Sequence, residues 1–300
     1  MRALVTGASG FIGKRVCSTL LDAGIDVIEI GQNASDGGGN RIVFGPSPWP
    51  WRRWAAVLKE TQPDAIFHLA GSRSDPPDKL REINVGLCED MLRALRETGQ
   101  RPVVLVSGSA AEYGAALVDG QPIDEGYACK PGNVYGETKL AQTEAIMTFS
   151  KETGVRCVVA RIFNPVGYGM PSNLSLGDFA RQIECASRNG ELVTGDVDVE
   201  RDFLPIETVA DALVSLAFNP CAHGVVNICS GRPVKLRHLV EAMIARSGKE
   251  IRIRVDPARM RPGEPRVIIG STKRLSSFGV SASPIDIEAV AEAMVTPVST

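Results

Sequence analysis

From Arg2 onward, short apolar and β-branched runs alternate with stretches whose apolar positions recur at helical spacing. That alternation predicts a parallel sheet flanked by helices, because strand-helix-strand crossovers are how a chain lays successive strands side by side in one direction. Arg2 to Thr6 reads as the first strand and Phe11 to Ala23 as its helix; Asp26 to Ile30, Arg41 to Phe44 and Ala65 to Leu69 read as the next strands. A long helix is predicted over Lys79 to Thr98, a strand over Val103 to Ser107, a second long helix from Asn133 to about Thr153, and a strand over Arg156 to Ile162. Past Asn164 the alternation loosens, with Gly167, Gly169, Pro171 and Asn173 punctuating a loop. Helices are then expected at Asp178 to Arg188, Val209 to Phe218 and Leu236 to Ser247, with strands near Gly224 to Ile228 and Ile251 to Val255. The expected fold class is α/β. A Rossmann-type doubly wound parallel sheet should occupy residues 1–165, with later segments returning to it, and residues 166–300 should form mainly a smaller C-terminal substrate-binding lobe. Pro48-Trp49-Pro50-Trp51 reads as a loop whose tryptophans cap the sheet.

Charge and composition narrow the function classes. A net charge of -2 gives no basic surface for nucleic acid. No apolar run approaches the ~18 to 20 residues of a membrane span, and the stretch before the first glycines is too short for a signal peptide. The seven cysteines are odd in number and never spaced C-x-x-C, and His223 and His238 show no ligand spacing, so neither a disulfide framework nor a metal is expected. A reducing cytoplasm is the expected location.

Gly7-Ala8-Ser9-Gly10-Phe11-Ile12-Gly13 lies directly between an apolar strand and an amphipathic helix. In that context the glycines permit a tight turn and close approach of a pyrophosphate, which the helix N-terminus attracts through its unpaired N–H groups. An NAD-type cofactor usually finds a carboxylate at the end of the second strand for its adenosine ribose. Here that tip is Ile30-Gly31-Gln32-Asn33, with Glu29 inside the strand. The cofactor is therefore NADP(H) or NAD(H), with NADP(H) accepted and Arg41, Arg52 and Arg53 as candidate partners of a 2′-phosphate.

Tyr135-Gly136-Glu137-Thr138-Lys139 puts a phenol and an ammonium four apart on one helix face. The charge of Lys139 is expected to lower the pKa of Tyr135 so that the phenol can exchange a proton. Ser109 follows the strand Val103 to Ser107 at the edge of the sheet where ligands bind such folds, placed to hold a carbonyl oxygen. Ser109, Tyr135 and Lys139 are the catalytic candidates; His68 at a strand end is read as packed.

Together with His68-Leu69-Ala70, Asn84, Ser107 to Gly114, Arg161-Ile162-Phe163-Asn164 and Arg201-Asp202-Phe203, these motifs occur in an order that resembles the extended short-chain dehydrogenase/reductase family of sugar-nucleotide epimerases, dehydratases and reductases. The resemblance covers almost the whole chain. It implies a cofactor site of Gly7, Ser9, Gly10, Phe11, Ile12, Gly13, Leu69, Ala70, Tyr135, Lys139 and Ile162. It also implies a nucleotide-sugar site of Ser109, Asn164, Asn173, Arg201, Arg261 and Glu264, with Asn173, Arg201 and Arg261 on the pyrophosphate. Family dehydratases carry an acid pair after the serine, where this chain has Ala110 and Ala111, which transfer no proton. Gly177 to Ile183, Arg201 to Phe203 and Asp256 to Pro262 resemble the GDP-6-deoxy-D-mannose reductases. That similarity implies reduction of GDP-4-dehydro-6-deoxy-D-mannose to GDP-D-rhamnose. Phe278-Gly279-Val280-Ser281 departs from the pattern, so a dTDP- or UDP-linked 4-keto sugar stays open, as do a nucleotide-sugar 4-epimerase and a non-catalytic NADP(H) sensor. The two long helices carry apolar residues on more than one line, Leu80, Ile83, Leu87, Met91 and Leu95 on one and Val85 and Leu92 on another. That surplus, with the resemblance, suggests a homodimer through a four-helix interface, although burial within one chain accounts for it as well.

Overall fold

A computed structural model of the chain describes residues 1–33, 40–260 and 263–295. Its first apolar run, Arg2–Thr6 (β1), pairs in parallel with Asp26–Gly31 (β2) on one side and Ala65–His68 (β4) on the other. Arg41–Val43 (β3) extends the sheet beyond β2, while Val103–Ser109 (β5), Cys157–Ile162 (β7) and Gly224–Ile228 (β11) extend it beyond β4. The resulting order, β11-β7-β5-β4-β1-β2-β3, is parallel throughout. This is the doubly wound Rossmann-type sheet expected from the alternation. The direction of winding reverses between β1 and β4, which leaves a crevice at their C-terminal ends.

Parallel strands are buried on both faces, and here each face has its own core. On one, Phe11–Asp22 (α1) and Ile206–Phe218 (α7) bury Val16, Leu20, Val209 and Leu213. On the other lie Trp51–Thr61 (α2), Leu87–Thr98 (α4) and Val134–Thr153 (α5), with Trp54, Met91, Leu95, Ile146 and Phe149 inside. Trp49 caps this core edge-on to Phe44, ring centroids 5.3 Å apart, in keeping with the capping role read for it. The loop, however, ends at Pro50, because Trp51 opens α2, a helix whose apolar positions Trp54, Val57 and Leu58 face the sheet.

The predicted helix over Lys79 to Thr98 is three pieces: Pro77–Arg81 (α3), a wide π-type turn over Glu82–Gly86, and α4. The extra residue in that turn re-aims Asn84 into the interior. Its amide accepts from Ser72 N at 2.8 Å and donates to Ser72 O and to Thr138 Oγ1 on α5. Leu80, Leu87, Met91, Leu92 and Leu95 are all buried in the chain's own core, whereas Ile83 and Val85 are only half-buried.

Beyond β7 the chain builds a second sheet. Pro233–Lys235 (β12), Glu200–Pro205 (β10), Val267–Gly270 (β14) and Pro122–Ile123 (β6) pair in that order, and Asn164–Val166 (β8) also joins β10. Glu191–Thr194 (β9) and Arg252–Val255 (β13) form a separate ribbon. Ser175–Cys185 (α6), Leu236–Ser247 (α8) and Ile287–Val295 (α10) pack there around Phe179, Leu239 and Met243, and Lys273–Ser277 (α9) follows β14. Helix α6 stops at Cys185, short of the expected Arg188, where Lys249 Nζ takes the carbonyls of Ile183, Glu184 and Ala186.

Candidate active site

The crevice between β1 and β4 is built around Gly7. Its φ of +66° suits glycine, and a Cβ there would come within 2.7 Å of Ala70 N and 2.8 Å of Leu69. Thr6 Oγ1 accepts from the backbone N–H groups of Leu69 and Ala70 at 3.1 and 3.0 Å, locking the two loops together. Gly10 is the N-cap of α1 and offers no side-chain cap, so the first-turn N–H groups are presented to the crevice. The close-approach cradle and the uncapped helix start fit the pyrophosphate of a dinucleotide. At the tip of β2, Arg41 lies across Gly31, with Nη1 3.6 Å from where a Cβ would stand, and its Nε donates to Glu29 Oε2 at 2.9 Å. Arg53 instead donates to the Val43 and Phe44 carbonyls, and Arg52 stacks on Trp51. Of the three arginines, Arg41 therefore stands at the strand tip.

Ser109 ends β5 and caps a short turn over Ala110–Glu112. Its Oγ accepts from Ala111 N at 3.2 Å, while Glu112 Oε1 accepts from Ser109 N at 2.8 Å. Helix α5 starts at an Asn133 cap and comes down hard on that turn: a Cβ on Gly136 would lie 2.6 Å from Ala111 O. This contact between Gly136 and Ala111 brings Tyr135 into the neighbourhood of Ser109, which favours the ionised phenol. Burial raises the Tyr135 pKa, against the lowering by Ser109 and Arg73, and Glu112 raises it further.

The surroundings of Lys139 perturb the ammonium itself. It is buried, its Nζ donates to Gln142 Oε1 at 2.5 Å, and burial pulls its pKa down to about 8. Arg73, from the loop after β4, stands 5.5 Å from the Tyr135 ring centroid and favours its ionised form. His68 is buried beside them and held neutral, its pKa lowered to about 3 by burial and by the charge of Lys139, in line with a packed residue.

Beneath Ser109 runs a buried polar column. Glu112 takes Arg161 Nε at 2.8 Å and Thr143 Oγ1 at 2.9 Å; Arg161 lies over the Tyr113 ring, and the Tyr113 hydroxyl donates to Asn227 at 2.7 Å. Burial would lower the Arg161 pKa, but Glu112 outweighs it and keeps the guanidinium charged.

The profile of the NAD dependent epimerase/dehydratase family matches residues 3–229. The chain belongs to that family. It is 32% identical over 288 residues to a GDP-6-deoxy-D-mannose reductase of Pseudomonas aeruginosa, covering 91% of this chain and 89% of that protein. It is 30% identical over 263 residues to a dTDP-6-deoxy-L-talose 4-dehydrogenase (NAD(P)(+)) of Kitasatospora kifunensis, covering 86% and 82%. Its fold superposes on the structure of RMD from Pseudomonas aeruginosa complexed with NADPH with a TM-score of 0.79, at 30% identity and over 98% and 97% of the chains. As a member of the epimerase/dehydratase family the protein is an NAD(P)-dependent enzyme.

The remaining residues singled out in the sequence fall in two places. Asn173 Nδ2 reaches Ser74 Oγ at 2.9 Å, joining the loop before α6 to the loop that carries Arg73, and Asn164 Nδ2 bonds Asp202 O where β8 meets β10. Arg201 and Glu264 pair with each other at 3.3 Å on the second sheet. Arg261 lies outside the described residues. Ile162 ends β7 beside Ser109 in register. Arg73 and Gln142 escaped the sequence reading. The only signal for Arg73 was a cation just past a strand end on the ligand-binding edge.

Proposed function

We propose that this enzyme uses NAD(P)H to reduce the 4-keto group of a nucleotide-linked 4-keto-6-deoxy sugar, with GDP-4-dehydro-6-deoxy-D-mannose as substrate and GDP-D-rhamnose as product. The observation that carries the reading is the close packing of α5 at Gly136, next to Tyr135, on the turn that Ser109 caps and whose next two side chains are alanines. Such a site can polarise a carbonyl and hand it a proton, but it lacks the acid that removal of water would need. The reductase and dehydrogenase relatives support it.

When bound, NAD(P)H would supply the hydride that the sugar C4 takes up. Ser109 donates to the C4 carbonyl oxygen, and Tyr135 delivers its proton to the same oxygen as it becomes a hydroxyl. Glu112 holds the Ser109 backbone through its N–H, and the Arg161 pair holds Glu112. Lys139, within a turn of Tyr135, is the candidate for the nicotinamide ribose, and the α1 start with Gly7, Ser9, Gly10, Phe11, Ile12 and Gly13 for the pyrophosphate. Leu69, Ala70 and Ile162 would line the cofactor. Asn164, Asn173, Arg201, Arg261 and Glu264 are assigned to the nucleotide sugar, with guanidinium forks suited to its phosphates. Arg41 occupies Glu29, which leaves no free carboxylate at the β2 tip among the described residues, so NADP(H) is the preferred cofactor. Residues 1–165 with the returning β11 form the cofactor-binding unit in this reading, the protein acts in the cytoplasm, and a homodimer forms across the half-buried Ile83 and Val85.

The test is turnover of GDP-4-dehydro-6-deoxy-D-mannose with NADPH, with dTDP- and UDP-linked 4-keto-6-deoxy sugars alongside. One NADPH should be oxidised per GDP-D-rhamnose formed. Interconversion of C4 epimers without net NADPH consumption would make the protein an epimerase instead. Tyr135→Phe should cut kcat by about 10²- to 10⁴-fold while NADPH still binds.

A further inference from the structure

The stretch Gly177 to Ile183 and the stretch that opens at Asp256 lie far apart in the chain, yet they meet at one carboxylate. Asp178, in the first turn of α6, accepts from Arg259 Nη1 at 3.1 Å and from Gln182 Nε2 at 2.8 Å through Oδ2, and from Arg181 Nη2 at 2.8 Å through Oδ1. Arg259 Nη1 also donates to Val193 O on β9 at 3.0 Å. Gln182 grips the same residue, accepting from Val193 N at 2.8 Å and donating to Val193 O at 3.1 Å. There is no slack at this junction, since a Cβ on Gly195, just past β9, would stand 2.5 Å from Arg259 O. Burial raises the Asp178 pKa, but the bonds from Arg181, Gln182 and Arg259 outweigh it and hold the carboxyl below its usual value.

This knot stands between two parts of the molecule that the proposed reaction must bring together. Just before α6, Asn173 Nδ2 reaches Ser74 Oγ on the loop after β4, and a Cβ on Gly177 would run into Pro171 O. The first turn of α6 is therefore seated against the loop at the edge of the cofactor crevice. On the other side of the knot, the chain runs on from Arg259 to Glu264, which pairs with Arg201 of β10 at 3.3 Å. It continues to Arg266, whose carbonyl accepts from Arg201 Nη1 at 2.9 Å just before β14 begins. The segment that brings Glu264 to Arg201 is thus tied to α6 at its start and to the second sheet at its end. We propose that Asp178 and Arg259 are positioning residues for the nucleotide sugar: their ion pair fixes the start of this segment on α6 and so sets the Arg201–Glu264 pair where the nucleoside diphosphate is held. The inference rests on the reading of Arg201 and Glu264 as nucleotide-sugar residues, and it adds two residues that act through the backbone between them. An ion pair as exposed as this one adds little to global stability, so its loss should be felt in the segment it ties down.

Arg259 is exposed, and Asp178 keeps Arg181 and Gln182 when it is replaced, so Arg259→Met leaves the neighbouring core intact. The full chain is titrated calorimetrically with GDP, dTDP and UDP, and separately with NADPH, as wild type, Arg259→Met, Arg259→Lys, Asp178→Asn and the Asp178→Asn/Arg259→Met double variant. Arg259→Met should weaken the nucleoside diphosphate that wild type binds best by roughly three- to ten-fold, the worth of one hydrogen bond, while the Kd for NADPH and the Tm hold. Arg259→Lys, which keeps the charge, should recover part of that loss. The double variant should lose no more than the worse of its two single variants, because both remove the same tie. Unchanged nucleoside diphosphate binding in Arg259→Met and Asp178→Asn overturns the proposal. A loss shared equally with NADPH, or matched by a general fall in Tm, also overturns it, because the pair would then be a structural tie only. Wild type that binds none of the three nucleoside diphosphates would remove the nucleotide-sugar reading of Arg201 and Glu264 and the proposal with it, whereas tight binding that the variants share removes the proposal alone.

Discussion

Replacing Lys139 by Met should stabilise the protein at neutral pH while destroying its activity. The ammonium is 3% exposed, and burial lowers its pKa from the usual 10.5 to about 8. Between those values the unfolded chain binds more protons than the folded one, so the unfolding free energy rises with pH across that window. Below it, at pH 7, the buried charge costs about 3 kcal/mol. Methionine keeps the length of the lysine stem but gives up the bond to Gln142 Oε1, worth about 1 kcal/mol in a buried setting. The balance is about 2 kcal/mol in favour of Lys139→Met at pH 7, or a rise in Tm of roughly 4–8 °C for a chain of this size. Above pH 10.5 the lysine is neutral in both states, the hydrogen bond alone separates the two proteins, and wild type becomes the more stable by about 1 kcal/mol. Thermal unfolding of both proteins at pH 7 and at high pH reads the crossover directly. A variant less stable than wild type at pH 7, or a Tm difference that does not change with pH, would refute the reasoning.

Two further substitutions probe the neighbourhood. Arg161→Met leaves the Glu112 carboxylate buried without its ion-pair partner and should lower stability by about 3–5 kcal/mol, read as a large fall in Tm; a fall no greater than that of an ordinary surface substitution would show that the column beneath Ser109 carries little. Arg41→Ala removes the guanidinium from the β2 tip and frees Glu29, so kcat/KM with NADPH should drop about tenfold, equivalent to about 1.4 kcal/mol, while that with NADH holds or rises; equal losses with both cofactors would exclude Arg41 from the 2′-phosphate site.

The sequence by itself fixed what local pattern encodes. The β-branched runs gave the order of strands, the glycines after Thr6 gave the turn into α1, and the i, i+4 pair of Tyr135 and Lys139 gave a shared helix face. Each depends on residues within a turn or a strand of one another, so spacing suffices to read it. The second sheet was not legible in this way, because β10 is built from Glu200, Arg201 and Asp202. A buried acid such as Asp202 is tolerable only through donors from Ser230, Gly231 and Gly270 that lie far along the chain. Likewise the π-type turn at Asn84 follows from a loop and a helix that need the same amide. That Arg73 stands against the Tyr135 ring was decided only when β4 and α5 were brought side by side. Periodicity put Lys139 on the right face, but packing gave its ammonium to Gln142 and set Arg73 over the ring.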